Sequence, residues 1–274
     1  MILSSKYPSN KIPSDYDMYI VGSDQIWNYK ITKGFIGNYF CDFSFEKGSK
    51  KYVSYAASVG TGTLNKEQVE YIKSNLSRFD TISIREQDMV NIFQRILPDK
   101  EIFQVLDPTL LVDRSIWNGL TEKRMMPGEY IVVYQVHEVP SAIELAEHLA
   151  KELNAKILIL NAWHSLNFRD NKYQTASPED FLNYIRYAKC IVTSSFHGTV
   201  FSIVFEKPFY TVSVNENVDT RAKSILDSLS LVDRFIDKNK KPNFSNIDYR
   251  KTKKILSKLQ KQSREFLNNA IYGK

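Results

Sequence analysis

The sequence predicts an α/β fold built from two halves with parallel sheets and a cleft between them, and three observations carry that expectation. Short apolar runs rich in Val, Ile, Tyr and Phe alternate with helix-length amphipathic segments, the pattern of parallel strands joined by crossover helices. The alternation occurs twice, in two series separated by the Pro-Gly punctuation of Lys123 to Tyr130. Finally, 274 residues with 43% hydrophobic and 25% charged side chains suffice for two cores and exclude disordered or collagen-like classes.

In the first series, Tyr16 to Gly22, Lys51 to Ala57, Thr81 to Ile84 and Ile102 to Leu106 have the composition of buried strands. Val69, Ile72, Leu76 and Phe79 lie on one helical face, opened by the capping-box spacing of Asn65 and Gln68, and Met89, Phe93 and Ile96 lie on another. The second series has strands at Tyr130 to Val136, Lys156 to Leu160, Cys190 to Ser194 and Pro208 to Val214. Within it, Ser177-Pro178-Glu179-Asp180 is a helix start, with Ser as N-cap, Pro at the first helical position and acids in the first turn. Ile255, Leu259, Phe266 and Ile271 mark a closing helix over Asp248 to Ile271. The expected division is a first domain over 1–122, a second over 130–236 and a basic C-terminal helix over 237–274.

The formal charge of +6 suggests nucleic acid until it is located along the chain. Lys238 to Arg264 holds ten Lys or Arg and one acid, Asp248, an excess of +9 that leaves −3 for everything else. With no nucleic-acid motif and no basic stripe interleaved with aromatics, a nucleic-acid partner is not expected. The basic stretch is either a solvated helix face or a cationic surface for peripheral contact with an anionic membrane leaflet. Two distant cysteines, Cys41 and Cys190, suggest neither a disulfide framework nor a metal site and fit a reducing cytoplasm. His137, His148 and His164 form no metal-ligand pattern and are expected on the surface or in packing.

Ligands of open parallel sheets bind beyond the carboxyl ends of strands, where loop amides and helix N-termini converge. Those ends carry Ser23-Asp24-Gln25, Ser58 to Thr63, Arg85-Glu86, Asp107-Pro108 and Ser194-Ser195-Phe196-His197-Gly198-Thr199. Asp107-Pro108 reads first as a turn, and the glycines of Ser58 to Thr63 match neither a dinucleotide fingerprint nor a P-loop. Arg85 beside Glu86 is either a solvated ion pair or a functional cation. The stretch around His197 is the best candidate: hydroxyls, a Gly and a group titrating near neutrality, at a strand-to-helix junction suited to an anion.

Tyr16 to Asn28, Val53 to Gly60, Ile82 to Gln87, Leu106 to Asp113 and, most specifically, Ile191 to Phe209 together resemble the polysaccharide pyruvyl transferase family in order and spacing. The resemblance implies two Rossmann-like domains in a GT-B-like arrangement, the first on the acceptor side and the second on the donor or anion side. It also implies transfer of a pyruvyl group from phosphoenolpyruvate to two hydroxyls of a sugar as a ketal, in a cell-surface or exopolysaccharide precursor. No cofactor and no metal are implied; the partners are phosphoenolpyruvate and a glycan acceptor, lipid-linked or not, handled in the cytoplasm or at the inner face of the membrane. By position, His197 becomes the proton donor and Asp24 an acceptor-side base, while Arg85, Ser194, Ser195, Phe196, Gly198, Thr199 and Arg221 become substrate-binding residues. The chain departs from the family in two places. Ser195 stands where family members carry an Arg two positions before the motif His. The βα unit that usually precedes the strand matching Tyr16 to Gly22 has no counterpart in the fifteen residues before Tyr16, so either a truncated sequence or an incomplete first domain is expected. A GT-B glycosyltransferase using a nucleotide sugar, and a non-catalytic remnant in glycan assembly, are the competing expectations.

Overall fold

The computed structural model describes residues 8–60, 63–161, 173–174, 176–237 and 239–273. Thr61, Gly62, His164 and Lys238, named above, lie outside the described residues. The chain divides into two compact units, residues 1–111 with 257–274, and residues 112–256. The expected linker at Lys123 to Tyr130 therefore falls inside the second unit, and the C-terminal helix is shared between the units and is not a separate body.

The first unit is a parallel sheet of β1 (Met18–Gly22), β2 (Lys51–Ala57), β3 (Thr81–Ile84) and β4 (Ile102–Gln104), in the order β1-β2-β3-β4. Strands that follow one another spatially in chain order, joined by right-handed crossovers, place every crossover on the same face. That face is covered by α1 (Lys66–Leu76), α2 (Gln87–Ile96) and the aromatic segment between β1 and β2. No α-helix forms in that segment. Trp27 stacks on Phe40 and Phe93 instead, at 5.5 and 5.8 Å, and its indole N–H donates to the Tyr39 carbonyl at 2.9 Å. After the short α3 (Pro108–Leu111), the chain leaves this unit.

The second unit opens with α4 (Arg114–Gly119) and continues through β5 (Tyr130–Gln135), α5 (Pro140–Leu153), β6 (Lys156–Asn161), β7 (Tyr173–Gln174), α6 (Pro178–Tyr187), β8 (Cys190–Thr193), α7 (Phe196–Val204), β9 (Phe209–Val212), α8 (Glu216–Ser228) and β10 (Phe235–Ile236). All its strand pairs are parallel, in the order β10-β9-β8-β5-β6-β7. This is a doubly wound sheet whose order reverses between β5 and β8, and that reversal opens a crevice at the carboxyl ends of those two strands. The expected Ser177 cap is present: its hydroxyl accepts from the Asp180 N–H while the Asp180 carboxylate accepts from the Ser177 N–H.

The chain returns in α9 (Tyr249–Tyr272), whose residues from Ser257 onward belong to the first unit. There Phe266 and Ala270 pack with Val53, Tyr55, Ala56 and Val105 on the sheet face that the crossovers leave bare. Ala56 adopts φ +50° beside a register shift between Ser54 and Ala57, and this bulge turns both Tyr55 and Ala56 toward α9. The basic side chains of α9 from Lys251 to Arg264 are exposed on its other side. No helix among the described residues is long and apolar enough to cross a membrane.

Candidate functional site

Each unit gathers polar side chains at its strand ends. In the first, Gly22 closes β1 at φ +127°, and a Cβ there would lie 2.0 Å from the Tyr55 carbonyl oxygen, so only glycine lets β1 run this close to β2. Ser23 and Asp24 follow it. From the end of β3, the Arg85 side chain, 4% exposed, reaches Asp107 at 2.9 Å and donates to the Ser23 hydroxyl at 2.8 Å. Asp24, mostly solvent-facing, is 3.9 Å from the same guanidinium. Asp107, its carboxyl 3% exposed, also accepts from the N–H and hydroxyl of Thr109 at 3.0 and 2.6 Å and from Ser23 at 3.2 Å.

Asp107 is thus both the expected turn residue and a buried counter-ion. Arg85 and Glu86, adjacent in sequence, are not a solvated ion pair: both are buried, Arg85 faces Asp107, and Glu86 accepts from the Ser58 hydroxyl. The expectation that Arg85 supplies positive charge to an anion meets a physical obstacle, because Asp107 already neutralises it. The cluster, with Asp24 counted, is carboxylate-rich.

In the second unit the site forms at the switch between β5 and β8. Thr193, the last residue of β8, donates its hydroxyl to the Tyr134 carbonyl at 2.7 Å and accepts from the Ser195 N–H at 3.0 Å. Ser194 donates to the His137 carbonyl at 2.8 Å, which ties the loop after β5 to the loop after β8. Ser195 is the N-cap of α7, its hydroxyl accepting from the Gly198 N–H. Within this stretch His197 alone is partly exposed, while Ser194 to Phe196, Gly198 and Thr199 are buried. Its imidazole packs edge-on against Phe196, with centroids 5.2 Å apart, and the Arg221 guanidinium lies 5.8 Å from the centre of the same ring. Arg221 and His197 therefore both meet Phe196 at the positive end of α7.

Two expected anion contacts have other duties. Thr199 turns its hydroxyl inward, bonding to the Ser195 carbonyl at 3.0 Å and the Thr211 hydroxyl at 2.7 Å. Gly198 is a packing requirement, since a Cβ there would lie 2.2 Å from Thr193 Oγ1 and 3.1 Å from the Tyr134 ring. Hence Ser194, Ser195, Phe196, His197, Gly198, Thr199 and Arg221 come together in the second unit, and Asp24 and Arg85 come together in the first.

Three residues escape sequence reasoning. Asp219, buried, accepts from the Ser213 hydroxyl at 2.6 Å and the Val214 N–H at 2.9 Å, fixing the start of α8 and with it Arg221. Tyr134, next to last in β5, lies beside Ser195, with burial holding its phenol above the usual range and the Ser195 hydrogen bond opposing that. His137 is exposed, as expected, but on the loop at the switch point. The strand order would have pointed to both of the last two, and it is not visible in the one-dimensional pattern.

A family model described as polysaccharide pyruvyl transferase matches residues 2–216. No curated protein matches the chain. Among solved structures, one described as a UDP-N-acetylglucosamine 2-epimerase from Listeria monocytogenes is similar at a TM-score of 0.50 and 11% identity, over 94% of this chain and 75% of that one. The wall teichoic acid polymerase TagF is similar at 0.42 and 13%, over 82% of this chain, which spans 64% of the TagF chain. The epimerase likeness is one of fold: parallel α/β units of the GT-B kind.

Proposed function

Because the chain belongs to the polysaccharide pyruvyl transferase family, we propose that it transfers the pyruvyl group of phosphoenolpyruvate to two hydroxyls of a sugar in a cell-surface or exopolysaccharide precursor, forming a ketal. The observation that carries this reading is the meeting of Arg221 and His197 at Phe196, at the α7 end of the switch crevice. Protonation of the enolpyruvate methylene by His197 gives an oxocarbenium-like carbon, which a sugar hydroxyl attacks. Loss of phosphate and attack by a second hydroxyl complete the ketal. Of the two hydroxyl protons, one restores His197 and the other leaves with phosphate. Arg221 and the positive end of α7 hold the donor's anionic groups, and Arg221 supplies the cation that Ser195 does not. Asp24 orients the acceptor hydroxyl, with Arg85, Ser23 and Asp107 as its support.

The reaction takes place in the cytoplasm or at the inner membrane face, on a glycan acceptor that is free or lipid-linked. The apolar side of α9 is occupied by the first sheet, so membrane contact through this helix is electrostatic, by its exposed lysines. Phosphate release from phosphoenolpyruvate that requires a sugar acceptor tests the reading. His197→Gln should lower kcat by about 10²–10⁴ with KM nearly kept, and Arg221→Ala should mainly raise KM for phosphoenolpyruvate. Wild-type kinetics in both variants, or thermal stabilisation by a nucleoside diphosphate with none by phosphoenolpyruvate, would overturn it in favour of a nucleotide-sugar enzyme.

A further inference from the structure

The second unit has a cavity of about 360 Å3 at the amino ends of its strands, the end opposite Ser194 and His197. Glu129 immediately precedes β5, Lys189 immediately precedes β8 and Lys207 lies just before β9, so three strand starts bring charged side chains to one place. Arg124 and Arg186 complete the charged lining, and Pro208 and Phe244 supply apolar surface. Four cations share this space with one carboxylate.

The cations are not equivalent. Arg186 is built into the fold, one guanidinium nitrogen donating to the carbonyls of Asn118 and Thr121, both at 2.6 Å, and to the Thr121 hydroxyl at 2.9 Å. Arg124 donates to the carbonyls of Met126, at 3.1 Å, and Gly128. Glu129 stands 3.5 Å from the Lys189 ammonium and 3.8 Å from Arg124, close enough for attraction and too far for a good hydrogen bond. Lys207 is half-buried, and among the described residues its ammonium has neither a hydrogen-bond nor an ion-pair partner. Burial lowers its pKa; Glu129 opposes that, while Lys189, Arg124 and Arg114 add to it. Arg114 is itself engaged by Glu206. A half-buried ammonium beside like charges is an unfavourable arrangement that an anion in the cavity would relieve.

We propose that this cavity is a binding site for a phosphoryl anion, the phosphate of a small phosphomonoester, with Lys207 and Lys189 as its charge contacts and Arg124 at its edge. It is separate from the transferase site, lying ~13 Å away along the four residues of β8. Its volume falls in the range of small-molecule pockets, about 300–1,000 Å3, which suits an ester better than a polymer. The proposal does not depend on the transferase reading.

Calorimetric titration of the full chain with glycerol 3-phosphate, and separately with inorganic phosphate, tests it. Saturable binding that depends on Lys207 is expected, weakened at least about tenfold in Lys207→Met and kept in Arg221→Ala, which removes the anion contact proposed for the transferase site. Lys207→Met should also raise the Tm of the ligand-free protein, since an unpaired half-buried charge is removed, while abolishing the Tm increase caused by ligand. A lysine with a purely structural role gives the opposite pair, a lower ligand-free Tm and an intact ligand shift, and that result would overturn the proposal. So would loss of phosphate binding in Arg221→Ala, or the absence of any Lys207-dependent binding. Vesicles of phosphatidic acid, with phosphatidylcholine as the control, separate the sources: Lys207-dependent binding to these vesicles with none to the soluble esters supports the site and makes a lipid headgroup its ligand.

Discussion

The two units place polar groups at the same structural location, the carboxyl ends of parallel strands, and reach opposite electrostatic results. In the first, a buried guanidinium is closed off by a buried carboxylate 2.9 Å away. In the second, a partly exposed imidazole and a guanidinium both meet one ring, Phe196, at the amino end of a helix. Strand order accounts for the difference. The sequential order β1-β2-β3-β4 never reverses among the described strands, so its loops lie side by side and their side chains neutralise one another. The doubly wound order of the second unit reverses between β5 and β8, which sends the helices after those strands to opposite faces of the sheet, while the Ser194 hydrogen bond to the His137 carbonyl joins the two loops at the base of the crevice.

If the first cluster is a closed ion pair and the second an open site, removing a partner should have very different consequences for stability. Asp107→Ala removes the buried carboxylate that faces Arg85 and should cost about 3–5 kcal/mol by urea unfolding, whereas His197→Gln should change stability by less than about 0.5 kcal/mol. Equal effects would break the contrast. The next largest effect concerns how tightly the open site is framed. Gly198→Ala pushes a methyl against Thr193 and Tyr134 and should cost about 1–3 kcal/mol, with lost turnover, because α7 must move away from β8. The smallest effect concerns the cores behind the sites, where the units should behave alike. Burial pushes the thiols of Cys41 and Cys190 up to about 12, from an ordinary value of 9.0. Each folded thiol stays protonated where its unfolded counterpart ionises. This contribution is therefore complete below pH 9, declines as pH rises toward 12, and would show as alkaline loss of stability, smaller in Cys41→Ala and Cys190→Ala. Neither thiol should react with iodoacetamide at pH 8 in the native chain.

Much of this was legible along the chain. β2 and β3 occupy the expected residues, both capping boxes are present, and α9 is one residue out at each end, because apolar composition, cap chemistry and helical periodicity are local signals. β7 and β10, two residues each, escaped because they are too short for any period and exist only by pairing with β6 and β9. α3 and α4 likewise carry too few turns to show a face. At the site, His197 and its N-cap Ser195 were legible as residue types at a strand-to-helix junction, and Arg221 only through the family resemblance. Asp219 was not, since its partners Ser213 and Val214 are identifiable only once α8 folds back on the loop after β9.

The sequence by itself determined the α/β class, most strands, the helix starts and the position of the basic stretch, all of which depend on neighbours within a few residues. Tertiary structure alone decided the rest. It made the basic C-terminal helix a structural part of both units, because its apolar face is the complement of a sheet face that one-sided crossovers leave open. It turned Thr199 inward and made Gly198 a spacer, and it joined Arg85 to Asp107, twenty-two residues away. Charge and hydroxyl chemistry are written in residue types, but which group faces solvent and which is already satisfied depends on partners brought together by strand order.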